Sequence, residues 1–407
     1  MQALRLLACG VVLTALSGCD GQIIGPPGGQ PAGKASWLSY KYPTPCVDCP
    51  ELRDQLEEDA YYCSIALTGG SDPNGVDPVH CAANQPPALD FNAWKTANGF
   101  PATGTPEAHA IYGNLGDLRI GRDMNCVKSA NENIACYVTN YGPPPFVNDA
   151  VNPAWTGPNN EFPALTQAIE DAIVGHGPFA TVAMVYNRNA SISQNANAVT
   201  FYVFDGTGAR LPLPALDAEG GKSNPRMCMA CHGGTYDSVA HSATGAQFLP
   251  FDVFFFQHSL QPGYTLADQQ EGYRKLNKLV KETLVRDTPP GDAIEDFING
   301  TYNNAVDTPG TPAVNGYVPP GWAGQETLYN SVYRQYCRMC HLASRTPFLT
   351  FTQFKSFAAT IEDKVCQSTD MPNAQVPYVK LWEDHVARGD LRRFLTEEGL
   401  STPPSCQ

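Results

Sequence analysis

Short runs rich in valine, tyrosine and phenylalanine occupy the middle of the chain and predict antiparallel β-strands. The predicted strands are residues 134–141, 181–186, 199–205 and 210–213. Gly206-Thr207-Gly208 lies between the last two runs and supplies a turn, because glycine adopts the backbone angles that a tight hairpin needs. One helix, starting near Pro163, carries apolar residues at helical spacing among these strands: Leu165, Ile169 and Ile173. Residues 86–221 therefore predict an α+β or β-rich domain.

Helical patterns are found on both sides of this region. After Pro50, apolar residues recur every four positions at Leu52, Leu56 and Ala60. Thr265 and Asp268 have the spacing of a capping box. The apolar positions that follow predict a long helix: Tyr273, Leu276, Val280 and Leu284. A further helix is predicted around residues 293–302.

Residues 325–407 predict a small helical unit. Its first helix carries Leu328, Val332, Tyr336 and Cys340 at four-residue spacing, so one face holds them all. A final helix is predicted from near Pro377, burying one stripe: Val379, Trp382 and Val386. The predicted fold class is α+β and multidomain, with a β-rich N-terminal domain followed by mainly α-helical domains. The chain is predicted to divide into an N-terminal apolar segment (1–19), a linker (20–35), a cysteine-rich cap (36–85), the β-rich domain (86–221) and two mainly helical domains (222–324 and 325–407).

The pentapeptide Cys-x-x-Cys-His occurs twice, as motif one (Cys228-Met229-Ala230-Cys231-His232) and motif two (Cys337-Arg338-Met339-Cys340-His341). Two thiols at this spacing can form thioether bonds to the two vinyl groups of one porphyrin, and the adjacent imidazole then reaches the iron. The alternative is a set of disulfide or zinc cysteines beside unrelated histidines. The motifs predict two covalently attached haem c groups, held by Cys228 with Cys231 and by Cys337 with Cys340. His232 and His341 are the expected iron ligands.

Residues 325–407 resemble a class I cytochrome c domain in the order of their parts. A helix leads into motif two, Asp370-Met371-Pro372 follows in a loop, and a final helix closes the unit. The resemblance implies that the final helix crosses the first. It also implies that Met371 binds the iron opposite His341. A soft thioether ligand favours ferrous iron and raises the reduction potential relative to a bis-histidine centre.

Motif one has no methionine of this kind downstream, since none occurs between Met229 and Met339. His241 and His258 follow the motif and are the leading candidates for its second axial ligand. The alternatives are an iron open on that side or a ligand from the upstream domain: Met124, Met184, His109 or His176.

A wider resemblance covers roughly the last half of the chain. The sequence Cys-His-Gly-Gly at motif one, the stretch Phe248-Leu249-Pro250-Phe251-Asp252 and motif two together resemble a group of exported bacterial di-haem cytochromes without an assigned reaction. The resemblance implies haem binding and export and confers no substrate.

The N-terminal residues predict export. Arg5 precedes a short apolar stretch that is too short to span a membrane permanently. Leu16-Ser17-Gly18-Cys19 resembles the bacterial lipobox, which implies a lipid anchor at Cys19; the alternative is an ordinary cleaved signal peptide. Residues 20–35 then predict a flexible linker. The expected location is the bacterial cell envelope, on the periplasmic face or the outer cell surface.

The chain has 14 cysteines, and eight of them lie outside the signal peptide, the lipobox and the haem motifs: Cys46, Cys49, Cys63, Cys81, Cys126, Cys136, Cys366 and Cys406. An even number in an oxidising compartment predicts up to four disulfides. Cys126 with Cys136 is the favoured pair, because a short loop separates them. A bond from Cys366 to Cys406 would attach the Met371 loop to the C-terminal end. Cys46 and Cys49 have the spacing of a redox dithiol or half a zinc site, although a structural disulfide cluster is favoured.

The formal net charge of −14 argues against nucleic acid and anionic lipid as partners. It favours a basic redox partner protein or a cationic substrate, and it also serves solubility. The leading functional hypothesis is electron transfer through two haems in the cell envelope. One alternative is a di-haem peroxidase-like oxidoreductase with an open first haem. Another is a sensing module whose β-rich domain recognises a ligand.

Overall fold

The computed structural model describes residues 50–67, 90–116, 118–142, 165–188, 198–214, 221–285, 287–367, 371 and 373–400. Helices and an antiparallel sheet occur together, which confirms the α+β class. No helix within these ranges combines the length and hydropathy needed to cross a membrane. Several predictions concern residues outside the described ranges: the signal peptide, Cys19, the linker, Cys46, Cys49, Cys81, Asp370, Pro372 and Cys406.

The centre of the fold is a six-stranded antiparallel sheet with the order β5-β4-β3-β2-β1-β8. Strands β1 to β5 are Ala108–Asn114, Gly121–Lys128, Ile134–Tyr141, Ala180–Tyr186 and Val199–Asp205, and β8 is Phe256–Gln257. A separate hairpin pairs β6 (Thr235–Asp237) with β7 (Ser242–Thr244).

Three of the four predicted strands are confirmed as β3, β4 and β5. The prediction of a strand at residues 210–213 is wrong, because this segment contributes only an isolated bridge between Phe204 and Arg210. Pro212 and Pro214 lack the N–H groups that would continue a ladder. Strands β1 and β2 were not predicted from the sequence.

The sheet has two differently covered faces. On the outer face, helix α2 (Phe91–Ala97) and helix α3 (Leu165–Val174) pack over the strands. Trp94 of α2 is fully buried, and Ile169 of α3 is 1% exposed. The inner face carries the alternate residues of each strand and is turned towards motif one. The predicted helix near Pro163 is confirmed as α3.

Helix α1 (Pro50–Leu67) confirms the helix predicted after Pro50, and Leu56 on this helix is 51% exposed. The buried face instead carries Tyr61 and Tyr62. Their hydroxyl oxygens accept hydrogen bonds from the N–H groups of Phe201 and Val203, at 2.9 and 3.2 Å. Strand β5 is an edge strand, so these tyrosines satisfy amide groups that no neighbouring strand reaches.

Three helices follow the sheet: α4 (Arg226–His232), α5 (Leu266–Thr283) and α6 (Pro289–Thr301). Helix α5 begins with the predicted capping box between Thr265 and Asp268. It buries Tyr273, Leu276 and Val280, as predicted. Helix α6 confirms the helix expected around residues 293–302.

The C-terminal unit begins with one continuous helical segment made of α7 (Glu326–Leu328), π1 (Tyr329–Cys337) and α8 (Arg338–His341). Within π1 the bonding is one residue wider than in an α-helix, and the Arg338 N–H donates to the Tyr333 carbonyl five residues earlier. The predicted helix is confirmed, but its central part, Tyr329–Cys337, is a π-helix rather than an α-helix. A wider turn keeps residues four apart on one face, whereas they drift around an α-helix of 3.6 residues per turn.

The remaining elements are α9 (Phe351–Ser356), α10 (Ala358–Ile361), π2 (Glu362–Gln367), α11 (Gln375–Glu383) and α12 (His385–Glu397). The single final helix predicted from Pro377 is therefore two helices. Asp384 ends the first and caps the second, since its carboxylate accepts from the Val386 and Ala387 N–H groups. The break turns Val386 outward, where it is 66% exposed, while Trp382 is buried as predicted.

The two terminal helices pack on π1, which is the contact expected between the first and last helices of this unit. The Tyr336 hydroxyl donates to the Asp384 carboxylate at 2.8 Å, and the Ser331 hydroxyl donates to Asp390 at 2.6 Å. The buried side chains form two large clusters. The first cluster contains the strands, α5, α6 and motif one, and the second contains residues between Trp322 and Leu395.

Two disulfide predictions can be compared with the structure. Cys126 and Cys136 form a disulfide between directly opposed residues of β2 and β3, with a Cα–Cα distance of 4.1 Å. Cys366 is also disulfide-bonded. Its pairing with Cys406 stays a prediction, because residue 406 is outside the described ranges.

Candidate functional site

The two Cys-x-x-Cys-His motifs lie against each other. Cys231 and Cys340 are 109 residues apart in the chain, and their sulfur atoms are 3.2 Å apart. Helix α4 carries motif one, while motif two spans the end of π1 and all of α8. The fold therefore brings the two predicted sets of attachment residues together.

A glycine after motif one permits this close approach. Gly233 has a φ of +68°, and a Cβ atom at this position would lie 1.9 Å from the Ala343 carbonyl oxygen, two residues after motif two. Any larger residue at 233 would push the two motifs apart and would also strain the backbone. The first glycine of the pair that follows motif one is therefore explained by its contact with the residues directly after motif two, whereas the second, Gly234, lies against Thr244 and Ala246.

An ion pair joins the two buried clusters at the same point. Arg338, inside motif two, is 4% exposed and pairs with Asp252. Its guanidinium also donates to the Tyr329 hydroxyl at 2.8 Å and lies 4.7 Å from the centre of the Phe297 ring. Phe297 belongs to the first cluster and Tyr329 to the second. A buried charge held by groups from both clusters fixes their relative position.

His232 is oriented by the loop that follows motif one. Its Nδ1 is 2.8 Å from the Gln247 carbonyl oxygen, and the Gln247 N–H donates to the His232 carbonyl at 2.8 Å. A carbonyl only accepts, so Nδ1 carries the proton and Nε2 keeps its lone pair. Burial lowers the pKa of His232 to about 4, so the ring is neutral at pH 7. Histidines that bind metals are commonly oriented by this kind of bond.

A cavity of about 490 Å³ lies beside His232. Motif one contributes Cys228, Cys231 and His232 to its wall, and motif two contributes Met339 and Cys340. The inner face of the sheet supplies alternate residues of three neighbouring strands: Arg122 and Met124, Val138 and Asn140, and Ala180, Val182 and Met184. Aromatic residues of the 248–256 segment also line it.

The size and lining of this cavity are those of a cofactor pocket, which is typically 300–1,000 Å³, mostly apolar and provided with a few polar groups. The two thiols and the neutral imidazole of motif one all border it. The residues present therefore fit a covalently attached haem, with His232 offering Nε2 to the iron.

The residues predicted for the second haem gather around the second cluster. The His341 ring stacks on Phe348, with ring centres 5.4 Å apart and planes inclined by 24°. Burial lowers the pKa of His341 to about 4, which leaves this imidazole neutral as well. Cys337 and Met371 both pack against the same cluster as Phe348. Cys337, His341 and Met371 therefore lie at this cluster, whereas Cys340, the other predicted attachment cysteine, borders the cavity beside motif one.

The other predicted ligands of motif one lie elsewhere. His258 has its Nε2 2.9 Å from the Val253 carbonyl and its ring against Tyr273, and His241 has its Nδ1 3.4 Å from the Tyr236 hydroxyl. Neither borders the cavity. Of the upstream alternatives, His109 pairs with Asp123 and His176 is exposed. Met124 and Met184 do border the cavity.

A buried carboxyl group, which was not predicted from the sequence, lies beside the start of the motif one helix. Glu58 is 1% exposed, and its Oε2 accepts from the N–H groups of Leu213 and Asn224 at 3.2 and 3.1 Å. The Asn224 side chain donates to the Tyr62 hydroxyl and accepts from the Cys228 thiol. Burial raises the pKa of Glu58 to about 7, against the opposing effect of these N–H groups and of Arg210.

Replacing Glu58 with glutamine should change how the stability of the protein depends on pH. The folded-state pKa is raised from 4.5 to about 7, so the contribution of this group to stability is fully present below pH 4.5 and is lost as the pH rises through 7. The free energy of unfolding of Glu58→Gln, relative to the natural protein, should therefore increase with pH, by about 3 kcal/mol between pH 4.5 and pH 8. Urea unfolding at several pH values measures this difference. Parallel pH profiles would show that Glu58 does not titrate in this range.

Several residues of the site carry no recognisable local signal. Gln247 and Asn224 act through contacts with residues outside their own segments. Asp252 and Gly233 were part of the stretches that carry the wider resemblance, but their contacts with Arg338 and Ala343 were not predicted.

Comparisons with protein-family models, with curated proteins and with solved structures found no match to this chain.

Proposed function

We propose that this chain is a di-haem c-type cytochrome lipoprotein that transfers electrons in the bacterial cell envelope. The observation that carries the proposal is the 3.2 Å separation of the Cys231 and Cys340 sulfur atoms. Cys228, Cys231 and His232 hold one haem, and Cys337, Cys340, His341 and Met371 hold the other. Bound haem c supplies a one-electron redox centre whose potential depends on its axial ligands and surroundings.

The arrangement of the chain favours electron transfer between the two haems and argues against two haems that act independently. Groups attached at neighbouring sulfur atoms are themselves neighbours, so an electron accepted at one motif can pass to the other inside the protein. The Arg338 ion pair with Asp252 and the absence of a side chain at Gly233 keep the motifs together. The proposed anchor at Cys19 and the net charge of −14 suit docking of a basic redox partner near a membrane.

The haem content of the exported full-length protein tests this proposal. Two covalently bound haems per chain are expected, and the variants Cys228→Ala/Cys231→Ala and Cys337→Ala/Cys340→Ala should each retain one. Electron paramagnetic resonance of the oxidised protein should show magnetic interaction between the two irons, and each cysteine variant should lose it. A protein without covalent haem, or with two non-interacting irons, would contradict the proposal.

Peroxide consumption separates electron transfer from the peroxidase-like alternative. An electron carrier should leave hydrogen peroxide almost unchanged, and its two irons should both be low spin. Saturable consumption of peroxide together with a high-spin iron at motif one would favour the oxidoreductase.

A further inference from the structure

We propose that the central sheet supplies the sixth ligand of the iron at motif one, through the thioether sulfur of Met184. This inference rests on the proposed haem at motif one and identifies how its coordination is completed. It assigns a ligand role to a strand residue far upstream of both motifs.

The histidines of the described chain do not offer a second imidazole at the cavity. His232 is the only described histidine that borders it. His258 and His241, as given above, are engaged with Val253 and Tyr236 outside its wall. A ligand from the described residues must therefore come from another side chain that faces the cavity.

Four methionines face the cavity: Met124, Met184, Met227 and Met339. Met227 precedes Cys228 on the same short helix as His232, so it lies on the helix that provides the proximal ligand. Met339 belongs to motif two, and its sulfur is 3.8 Å from the Asn114 side-chain nitrogen at the end of β1. The two remaining thioethers, Met124 and Met184, are both on the inner face of the sheet.

The register of the sheet favours Met184 over Met124. Met184 is directly opposite Phe201 on the neighbouring strand, and the Phe201 ring centre lies 5.6 Å from that of His232. Met124 is on β2, two strands away from β4. Adjacent strands are 4.7–4.9 Å apart, so Met124 is displaced by about 10 Å across the sheet. Met184 is therefore on the strand adjacent to the one whose Phe201 ring lies beside His232, whereas Met124 is farther across the sheet.

The surroundings of Met184 are suited to holding a ligand in place. The residue is 8% exposed. Its strand, β4, lies inside the sheet between β3 and β5, where Met184 pairs with Cys136 and Phe201. Its other cross-strand neighbour, Cys136, is tied to β2 by the disulfide with Cys126. A side chain on a central strand of a sheet is more precisely positioned than one on a loop. Met184 as ligand would give both irons one imidazole and one thioether.

Electron paramagnetic resonance and redox titration of the full-length, haem-loaded protein test the assignment, with Met124 as the matched control. Met184→Leu keeps the volume of the side chain and removes its sulfur, so one of two low-spin signals should become high spin. Met184→His should restore a low-spin iron and lower the potential of that haem relative to the natural protein. Met124→Leu and Met124→His should leave both signals unchanged.

Each alternative result has a definite reading. A spin change in Met124→Leu with none in Met184→Leu overturns the assignment in favour of Met124. Two unchanged low-spin signals in both leucine variants exclude a sheet thioether. A high-spin iron at motif one in the natural protein would exclude Met184 as its ligand and would leave the proposed haem at this motif unaffected. Absence of covalent haem at Cys228 and Cys231 would instead contradict the proposed function. Circular dichroism and haem content confirm that the variants are folded and loaded.

Discussion

Replacing Met371 with alanine should lower the reduction potential of one haem by on the order of 0.1 V and leave the other near its original value. A thioether stabilises ferrous iron, so its removal favours the oxidised state. Met371 packs against the cluster that also contacts Cys337 and contains Phe348, the ring on which His341 stacks. Spectroscopic redox titration of the full-length protein measures both potentials at once.

Met339 provides the control for this experiment. It belongs to motif two but faces the cavity beside motif one rather than the second cluster. Met339→Leu should leave the iron of motif two low spin and its potential nearly unchanged. If Met371→Ala alters neither potential, the resemblance to class I cytochrome c fails at its axial ligand, although the covalent attachment of haem would still stand.

Replacing Arg338 with methionine should destabilise the protein by about 3–5 kcal/mol, the usual cost of leaving one member of a buried ion pair alone. Arg338 is 4% exposed, its partner Asp252 is at the boundary of the two clusters, and the lost guanidinium also leaves the Tyr329 hydroxyl with one bond fewer. Denaturant unfolding of the haem-loaded protein measures the change.

A surface pair serves as the comparison for Arg338. Arg188 and Glu132 are both more than half exposed and are 3.8 Å apart, so Arg188→Met should change the stability very little. The double variant Arg338→Met/Asp252→Asn removes both charges and should be more stable than Arg338→Met alone, because no uncompensated carboxylate remains. Equal stability of the single and double variants would mean that the ion pair does not hold the clusters together.

Some elements were predictable because their signals are local. The capping box of Thr265 and Asp268 correctly predicted where α5 begins, and valine-rich runs correctly predicted β3, β4 and β5. Strands β1 and β2 were missed because both contain glycine and asparagine, and β2 contains aspartate as well; all three residue types are uncommon in strands. The burial of Val386 was predicted wrongly because the break between α11 and α12 at Asp384 does not show in the spacing of apolar residues.

The attachment chemistry predicted for this protein follows from the amino-acid sequence alone, because two thiols and an imidazole at fixed spacing are a local property of five residues. The helical and strand character of most segments also follows from neighbouring residues. The contact between Cys231 and Cys340, the close approach of Gly233 to Ala343 and the position of Met184 at the cavity arise only from the three-dimensional fold. These contacts join residues far apart in the chain. Their geometry is set by the packing of the sheet and helices around two buried clusters, which no local pattern records.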